Sequence, residues 1–370
     1  MHRREFIRFL SSTGFFGVSG LSTFSVLAEE KPKSLSNTWR TYELQTRVQL
    51  PAHNSPIQLW VPLASATATN SQQLLDTSWT LSDGAQATVV TLPEYGVQML
   101  HAVWPQASVS PTALVSNRVK VRDRRVSLTQ PAQVGRLEDA EVLRRYLAPT
   151  RLLPIDGRVR DVALRITQGH VAPLDKARAI YQWVVAHTCR QASVPGCGVG
   201  DVAYMLTSGN LNGKCADINA LFVALARAAG IPARDAYGIR LAPSKMGFTS
   251  LGANSQQLSR AQHCRAEFYA PGYGWVPVDP ADVRKVMLEE AEGNLPLNDA
   301  RVQAAQTFLF GATEGNWLAY NHGHDIQLPG STEPRLAFLM YPQAEINGQL
   351  INSLEPDQFR YSVQARLLST

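Results

Sequence analysis

Cysteine is scarce in this chain, four in 370 residues, and no two of them form a C-x-x-C pair. Paired spacing is what structural zinc sites show, so a zinc centre built from these cysteines and a histidine is disfavoured. A glycine-rich phosphate loop is missing, and with it that route to nucleotide binding. An excess of one charge is missing as well. The 35 Lys and Arg against 30 Asp and Glu leave a formal +5, a mild surplus that gives no argument for a nucleic-acid partner. After the first thirty residues no apolar run is long enough to span a bilayer. No cofactor and no metal is called for. The sequence carries no signal of oligomeric state.

What is present begins with Met1–Ala28. Arg3 and Arg4 followed by Glu5, Phe6, Ile7 and Arg8 resemble a twin-arginine export signature. A moderately apolar segment follows, and Val26-Leu27-Ala28 offers the small residues a signal peptidase reads. Its Gly, Ser and Thr content argues against a membrane anchor, so stable insertion after cleavage is not expected. Removing Arg3, Arg4 and Arg8 with Glu5 takes the formal charge from +5 to about +3. Some 340 mature residues exceed one compact core and predict two or three domains. From residue 38 to about 130 the apolar pattern has period two: Tyr42, Leu44, Thr46, Val48 and Leu50, then Ile57 to Leu63, then Val97, Met99 and Val103. This predicts an antiparallel β-sandwich. Arg118, Lys120 and Arg122, alternating with Val119 and Val121, read as its solvated face. Helical periodicity starts near Leu137. Helices are expected at Glu141–Leu147, from Asp156 through Ile166, and over Asp175–His187. A catalytic domain over about 138–295 and a β extension over 300–370 complete the division. The terminal runs Arg335–Tyr341 and Phe359–Leu367 are left to extend the catalytic sheet or to form a small cap.

The most informative stretch is Gly209–Arg234, GNLNGKCADINALFVALARAAGIPAR. Asn210, Asn212 and Gly213 make a turn. Ile218, Leu221, Phe222, Leu225 and Ala229 then recur at helical spacing until Gly230 and Pro232 stop the helix. Cys215 stands where turn becomes helix, facing unpaired N–H groups and the positive end of the dipole, which favour thiolate. A small buried residue is the plainer reading of that cysteine. A base for it lies in Gln262–Pro280, two strand-like runs around the turn Ala270–Gly274. Alternation puts His263, Arg265 and Glu267 on one face and Cys264, Ala266 and Phe268 on the other. A hairpin centred near Pro271 sets His263 beside Asp279, within a residue or so of register. A carboxylate so placed fixes the imidazole tautomer. Cys215, His263 and Asp279 then form a full set for thiol-based acyl transfer.

The NGKCADINALFVALARAAGIPAR turn-helix, the His263 strand and the GYGWVPVDP return strand resemble the transglutaminase-like superfamily. The motifs cover roughly Val162–Pro280. The resemblance implies a papain-like α+β core in which Cys215 is the nucleophile, His263 the base and Asp279 its orienting acid. It implies a protein or peptide substrate and no cofactor. One departure is visible: an aromatic often stands two residues after the histidine, and here that position is Arg265. The flanks are similar to bacterial members with an N-terminal β-domain and a C-terminal segment like Asn316–Asp325. The rival to an enzyme is an envelope scaffold that keeps the fold without turnover. Elsewhere, Cys189 and Cys197 enclose a short loop and form the candidate disulfide, sparing Cys215. Cys264 reads as a small buried residue. His322 and His324 would share a face if their segment were a strand, a pair a metal could use, though solvated polar alternation explains them more simply.

Overall fold

The computed structural model describes residues 35–66, 70–107, 109–131 and 138–370. The expected signal segment Met1–Ala28 and the onset of helical periodicity at Leu137 lie outside these residues. Six strands come first: β1 (Arg40–Gln49), β2 (Ile57–Pro62), β3 (Gln72–Leu81), β4 (Gln86–Leu92), β5 (Val97–Trp104) and β6 (Thr112–Val121), followed by the two-residue β7 (Arg124–Arg125). The period-two pattern does what it predicts. Tyr42, Leu44, Thr46 and Val48 of β1 are buried while the residues between them are not. Arg118 on the outer face of β6 is solvated and meets Asp76 at 3.4 Å.

The helical part follows: α1 (Ala140–Arg145), α2 (Gly157–Ile166), α3 (Pro173–His187), the short β8 (Cys189–Arg190), α4 (Val202–Ser208), β9 (Asn212–Gly213) and α5 (Cys215–Ala228). The three expected helices are present, α3 opening two residues early because Pro173 takes its first turn, where no N–H is needed. Helix α5 is buried on every side from Cys215 to Arg227. It has α2, α3 and a later helix, α6 (Pro280–Glu289), on one flank and a sheet on the other. Each Leu or Phe buried there contributes roughly 1.5–3 kcal/mol of transfer free energy. That is why this helix is the centre of the larger core.

The sheet under α5 is antiparallel, built from β10 (Ala233–Arg240), β11 (Gln262–Ala270), β12 (Gly274–Val278) and, later in the chain, β14 (Trp317–Asn321), in the order β12-β11-β10-β14. Between β12 and β14 lie two helices, α6 (Pro280–Glu289) and α7 (Ala300–Phe308), and the short β13 (Ala312–Thr313). The helices read from the sequence end with the one after Cys215, so these two are additions to that reading. The start of α6 is nonetheless written in the sequence: Asp279 is its N-cap, accepting from the Asp282 N–H, with Pro280 in the first turn.

The C-terminal strands are β15 (Gln343–Ile346), β16 (Gln349–Ile351) and β17 (Arg360–Ser369). They neither extend the catalytic sheet nor form a cap. β17 pairs with β1, giving β17-β1-β6-β3, and β15 pairs with β2, giving β16-β15-β2-β5-β4. The two sheets close on one core that includes Val48, Leu59, Leu100, Trp104, Val115, Ala344 and Phe359. Arg335–Tyr341 is not a strand; only Leu336 makes a bridge, to Ile326. The whole is α+β: a β-sandwich closed by the chain's end, and a helix-on-sheet core between.

Candidate active site

Cys215 is the first residue of α5, and Asp217 holds that helix start in place. The Asp217 carboxylate accepts from the backbone N–H groups of Val199 (3.0 Å), Gly200 (2.9 Å) and Lys214 (2.9 Å). The loop before α4 and the turn before α5 are therefore tied to one side chain. A Cβ on Gly198 or Gly213 would collide with that carboxylate. Gly213 thus serves the turn by its lack of bulk. The left-handed backbone lies at Gly209, with φ +75° at the end of α4, and not at Asn210 or Asn212.

His263 and Asp279 meet, though by a different register than the hairpin implies. Ala266 pairs with Val278, so the ladder puts Asp279 across from Arg265, two residues from His263. Asp279 has already left β12 as the cap of α6, and its side chain reaches diagonally. Asp279 Oδ2 lies 2.6 Å from His263 Nε2. Asp282, one helical turn on, also faces that nitrogen at 3.3 Å and pairs with Arg240 at 2.6 Å. Asn219, four residues after Cys215 on the same helix face, donates to Asp279 Oδ1 (3.3 Å) and to the Cys264 carbonyl (2.8 Å). Neither Asp282 nor Asn219 was singled out from sequence. The i+3 spacing from the cap and the i+4 spacing from the cysteine are the signals that mark them.

All of these groups are buried. Burial and the Arg240 guanidinium oppose a charge on His263, but Asp282 and Asp279 outweigh them and raise it to about 10. Burial and Asp282 push the Asp279 carboxyl up, while Arg240 and His263 hold Asp282 well below the usual carboxylate range against its burial. Nε2 faces the two carboxylates, which leaves Nδ1 for the thiol. The Cys215 thiol is held well below its ordinary value. Hydrogen bonds from Cys197 and Cys264 favour the thiolate, burial opposes it, and the hydrogen bond and charge of His263 add to the lowering. Thiols are weak donors, so the imidazolium is the partner whose loss matters most.

Three of the four cysteines therefore come together. The sulfurs of Cys197, Cys215 and Cys264 lie within 4.8 Å of one another, all buried. Cys264 is more than packing: although it alternates with His263 along β11, it reaches the same helix start. The Cys189–Cys197 disulfide does not form. Cys189 is exposed and accepts from Arg284 at 3.0 Å, while Cys197 turns inward with its thiol on the Gln262 carbonyl at 3.3 Å. The thiol trio, and His263 with Asp279 and Asp282, are each compact enough to surround an ion. In the second group Arg240 already supplies the cation.

A cleft of about 800 Å³ opens over Cys215, with Cys197, His263, Gln262 and Tyr341 in its wall. The Tyr341 hydroxyl is buried beside the Cys197 thiol.

The family model described as "Transglutaminase-like superfamily" matches residues 160–280. An uncharacterized protein of Haemophilus influenzae is 39% identical over 330 residues, 84% of this chain and 86% of that one. The chain belongs to the transglutaminase-like superfamily. The uncharacterized protein YebA of Bacillus subtilis is 28% identical over 140 residues, 37% of this chain and 19% of that one. Among solved structures, a protein of Cytophaga hutchinsonii described as a candidate cysteine protease shares the fold, with a TM-score of 0.54 at 15% identity, over 90% of this chain and 92% of that one.

In this member of the transglutaminase-like superfamily the aromatic wall near the histidine comes from elsewhere. Trp317 of β14 donates its indole N–H to the His263 carbonyl at 3.0 Å, and Arg265 stacks over its ring at 4.6 Å. Arg265 also lies 3.8 Å from Asp279. His322 and His324 follow β14 rather than belonging to a strand, and they are buried, not solvated. Both converge on Asp235, His322 Nδ1 on its carbonyl at 2.8 Å and His324 Nε2 on its carboxylate at 3.2 Å.

Proposed function

We propose that the chain is an exported cysteine enzyme acting on amide or peptide bonds through a thioester, with Cys215, His263 and Asp279 as its triad. What supports this most is His263 itself, buried between the Asp279 carboxylate on Nε2 and the Cys215 thiol. The Cys215 thiolate attacks the carbonyl and the tetrahedral oxyanion forms at the start of α5, where the Cys215 N–H is available. His263 gives its Nδ1 proton to the leaving amine. The thioester then goes to water or to an amine, which separates hydrolysis from amine transfer; the triad serves both. Tyr341, a buried hydroxyl in the same cleft with only the weakly bonding Cys197 thiol beside it, is a group with a proton to give the oxyanion. Tyr341→Phe is expected to slow acylation by an activated ester by roughly 10²-fold. Alkylation by iodoacetamide, which builds no oxyanion, should keep its rate. Equal acylation rates for the two proteins would remove Tyr341 from this role.

The test of the triad is the pH dependence of Cys215 alkylation. The lowered thiol pKa means the thiolate is present above that value and lost as pH falls through it. The raised His263 pKa means the imidazolium persists until pH rises through about 10. Alkylation should therefore be flat between about pH 7 and 9, and in His263→Ala it should rise with pH toward an ordinary thiol midpoint near 8.5. Coincident profiles would count against the pair and in favour of a scaffold.

A periplasmic or secreted location is supported by Arg3-Arg4 with Phe6 and by Val26-Leu27-Ala28. No helix among the described residues is long and apolar enough to cross a membrane. Replacing both arginines by lysine should hold the precursor in the cytoplasm; unaltered export would exclude the twin-arginine route.

A further inference from the structure

The chain as a whole is nearly balanced in charge, but the cleft over Cys215 is not. Its lining includes Arg190, Lys214, Arg240, Arg260, Lys285 and Arg360 against one carboxylate, Glu355. Arg240 is neutralised by Asp282 behind His263. Arg190 and Lys285 share a single acid, Glu289, at 2.8 and 2.5 Å. Lys214, Arg260 and Arg360 have no ion-pair partner among the described residues, and the two arginines are exposed at the mouth. Lys214 directly precedes the nucleophile. Cations of one sign on the walls of a concave, low-dielectric site add their fields and concentrate anions there.

We propose that this cleft takes an acidic peptide, one with carboxylates flanking the amide that Cys215 attacks. Asp or Glu side chains on either side of that amide would be met by Lys214 near the thiol and by Arg260 and Arg360 at the rim. The inference rests on the enzymatic reading above and adds the substrate class to it.

The test compares two alkylating reagents of similar size on the full-length mature protein, with labelling mapped to Cys215 by mass spectrometry. Iodoacetate is an anion and iodoacetamide is neutral. At low salt the iodoacetate-to-iodoacetamide rate ratio at Cys215 should exceed that of a free cysteine peptide by roughly tenfold, and fall as salt is added. His263 contributes to that ratio in every variant, so the cleft is isolated by Arg260→Glu with Arg360→Glu. That double variant should lower the ratio several-fold, whereas Arg47→Glu, an exposed charge reversal on β1, should not. Hexaglutamate should protect Cys215 from iodoacetamide and hexalysine should not. A reactive Cys215 whose ratio ignores the double reversal, or equal protection by the two peptides, overturns the acidic-substrate inference alone. A Cys215 inert to both reagents overturns the enzymatic reading, and this inference with it.

Discussion

At the scale of single residues the site is a balance of six charges out of water: His263, Arg240, Arg265, Asp279, Asp282 and the Cys215 thiolate. Two carboxylates on one imidazole nitrogen look redundant, but their other contacts divide the work. Asp282 also neutralises buried Arg240, so Asp282→Asn leaves a guanidinium uncompensated, a class of change that costs about 3–5 kcal/mol. Asp279 caps α6, a task asparagine performs as well, and its other cation, Arg265, lies farther off at 3.8 Å and is also held by the Trp317 ring and the Glu314 carbonyl. Asp279→Asn should therefore lose less melting temperature than Asp282→Asn while still losing activity, and Asp282→Asn should lose both. The activity loss of Asp279→Asn should stay below the roughly 10⁴-fold of a serine triad, because Asp282 still faces Nε2. Thermal melts set beside alkylation rates check this; equal melting losses would show that the two acids are not divided in this way. The three residues proposed as the triad could be picked out in sequence because each sits at a marked place, a helix start or a strand near a turn. Asp282, Cys197 and Cys264 were not, since what brings them in is the packing of α5 and α6 on β11.

Among the elements, the start of α5 is the one on which the site depends. Asp217 gathers three N–H groups from two separate loops, and Gly198 and Gly213 leave it the space. Gly213→Ala forces that carboxylate aside and should cost about 1–3 kcal/mol, with slower Cys215 alkylation as the helix start shifts. Gly209→Ala meets open space but a left-handed backbone, and should cost about 1 kcal/mol or somewhat more while leaving alkylation alone. If both variants slowed alkylation equally, the anchor would not be Asp217. Helix α5 and the β11–β12 hairpin could be read from periodicity and turn residues. Helix α6 was hidden because Val276-Pro277-Val278-Asp279-Pro280 ends a strand and begins a helix with no loop between them. The register count misplaces the partner by two because the hairpin turns on Gly272 and not on Pro271, with Ala270 opposite Gly274, and the abrupt change at Asp279 supplies the diagonal reach to His263.

Across the whole molecule, the sandwich and the helix-on-sheet core were visible as a change of period, from two to three or four. The closure of the sandwich was not. β17 lies against β1 with Val363 opposite Thr46, a pairing across more than three hundred residues that no local pattern encodes. Alternating strands near the end announce their conformation but not their partner, so the last segment could be recognised as β and still be assigned to the wrong sheet. The central claim concerns the nucleophile that this scaffold presents in its cleft, and a covalent intermediate tests it most directly. The mature protein, mixed with p-nitrophenyl acetate and quenched, is digested and mapped by mass spectrometry. The account predicts a burst of about one p-nitrophenol per protein and an acetyl group on the peptide carrying Cys215, both absent in Cys215→Ala. Acetylation at another residue, with a burst that survives in Cys215→Ala, would contradict it.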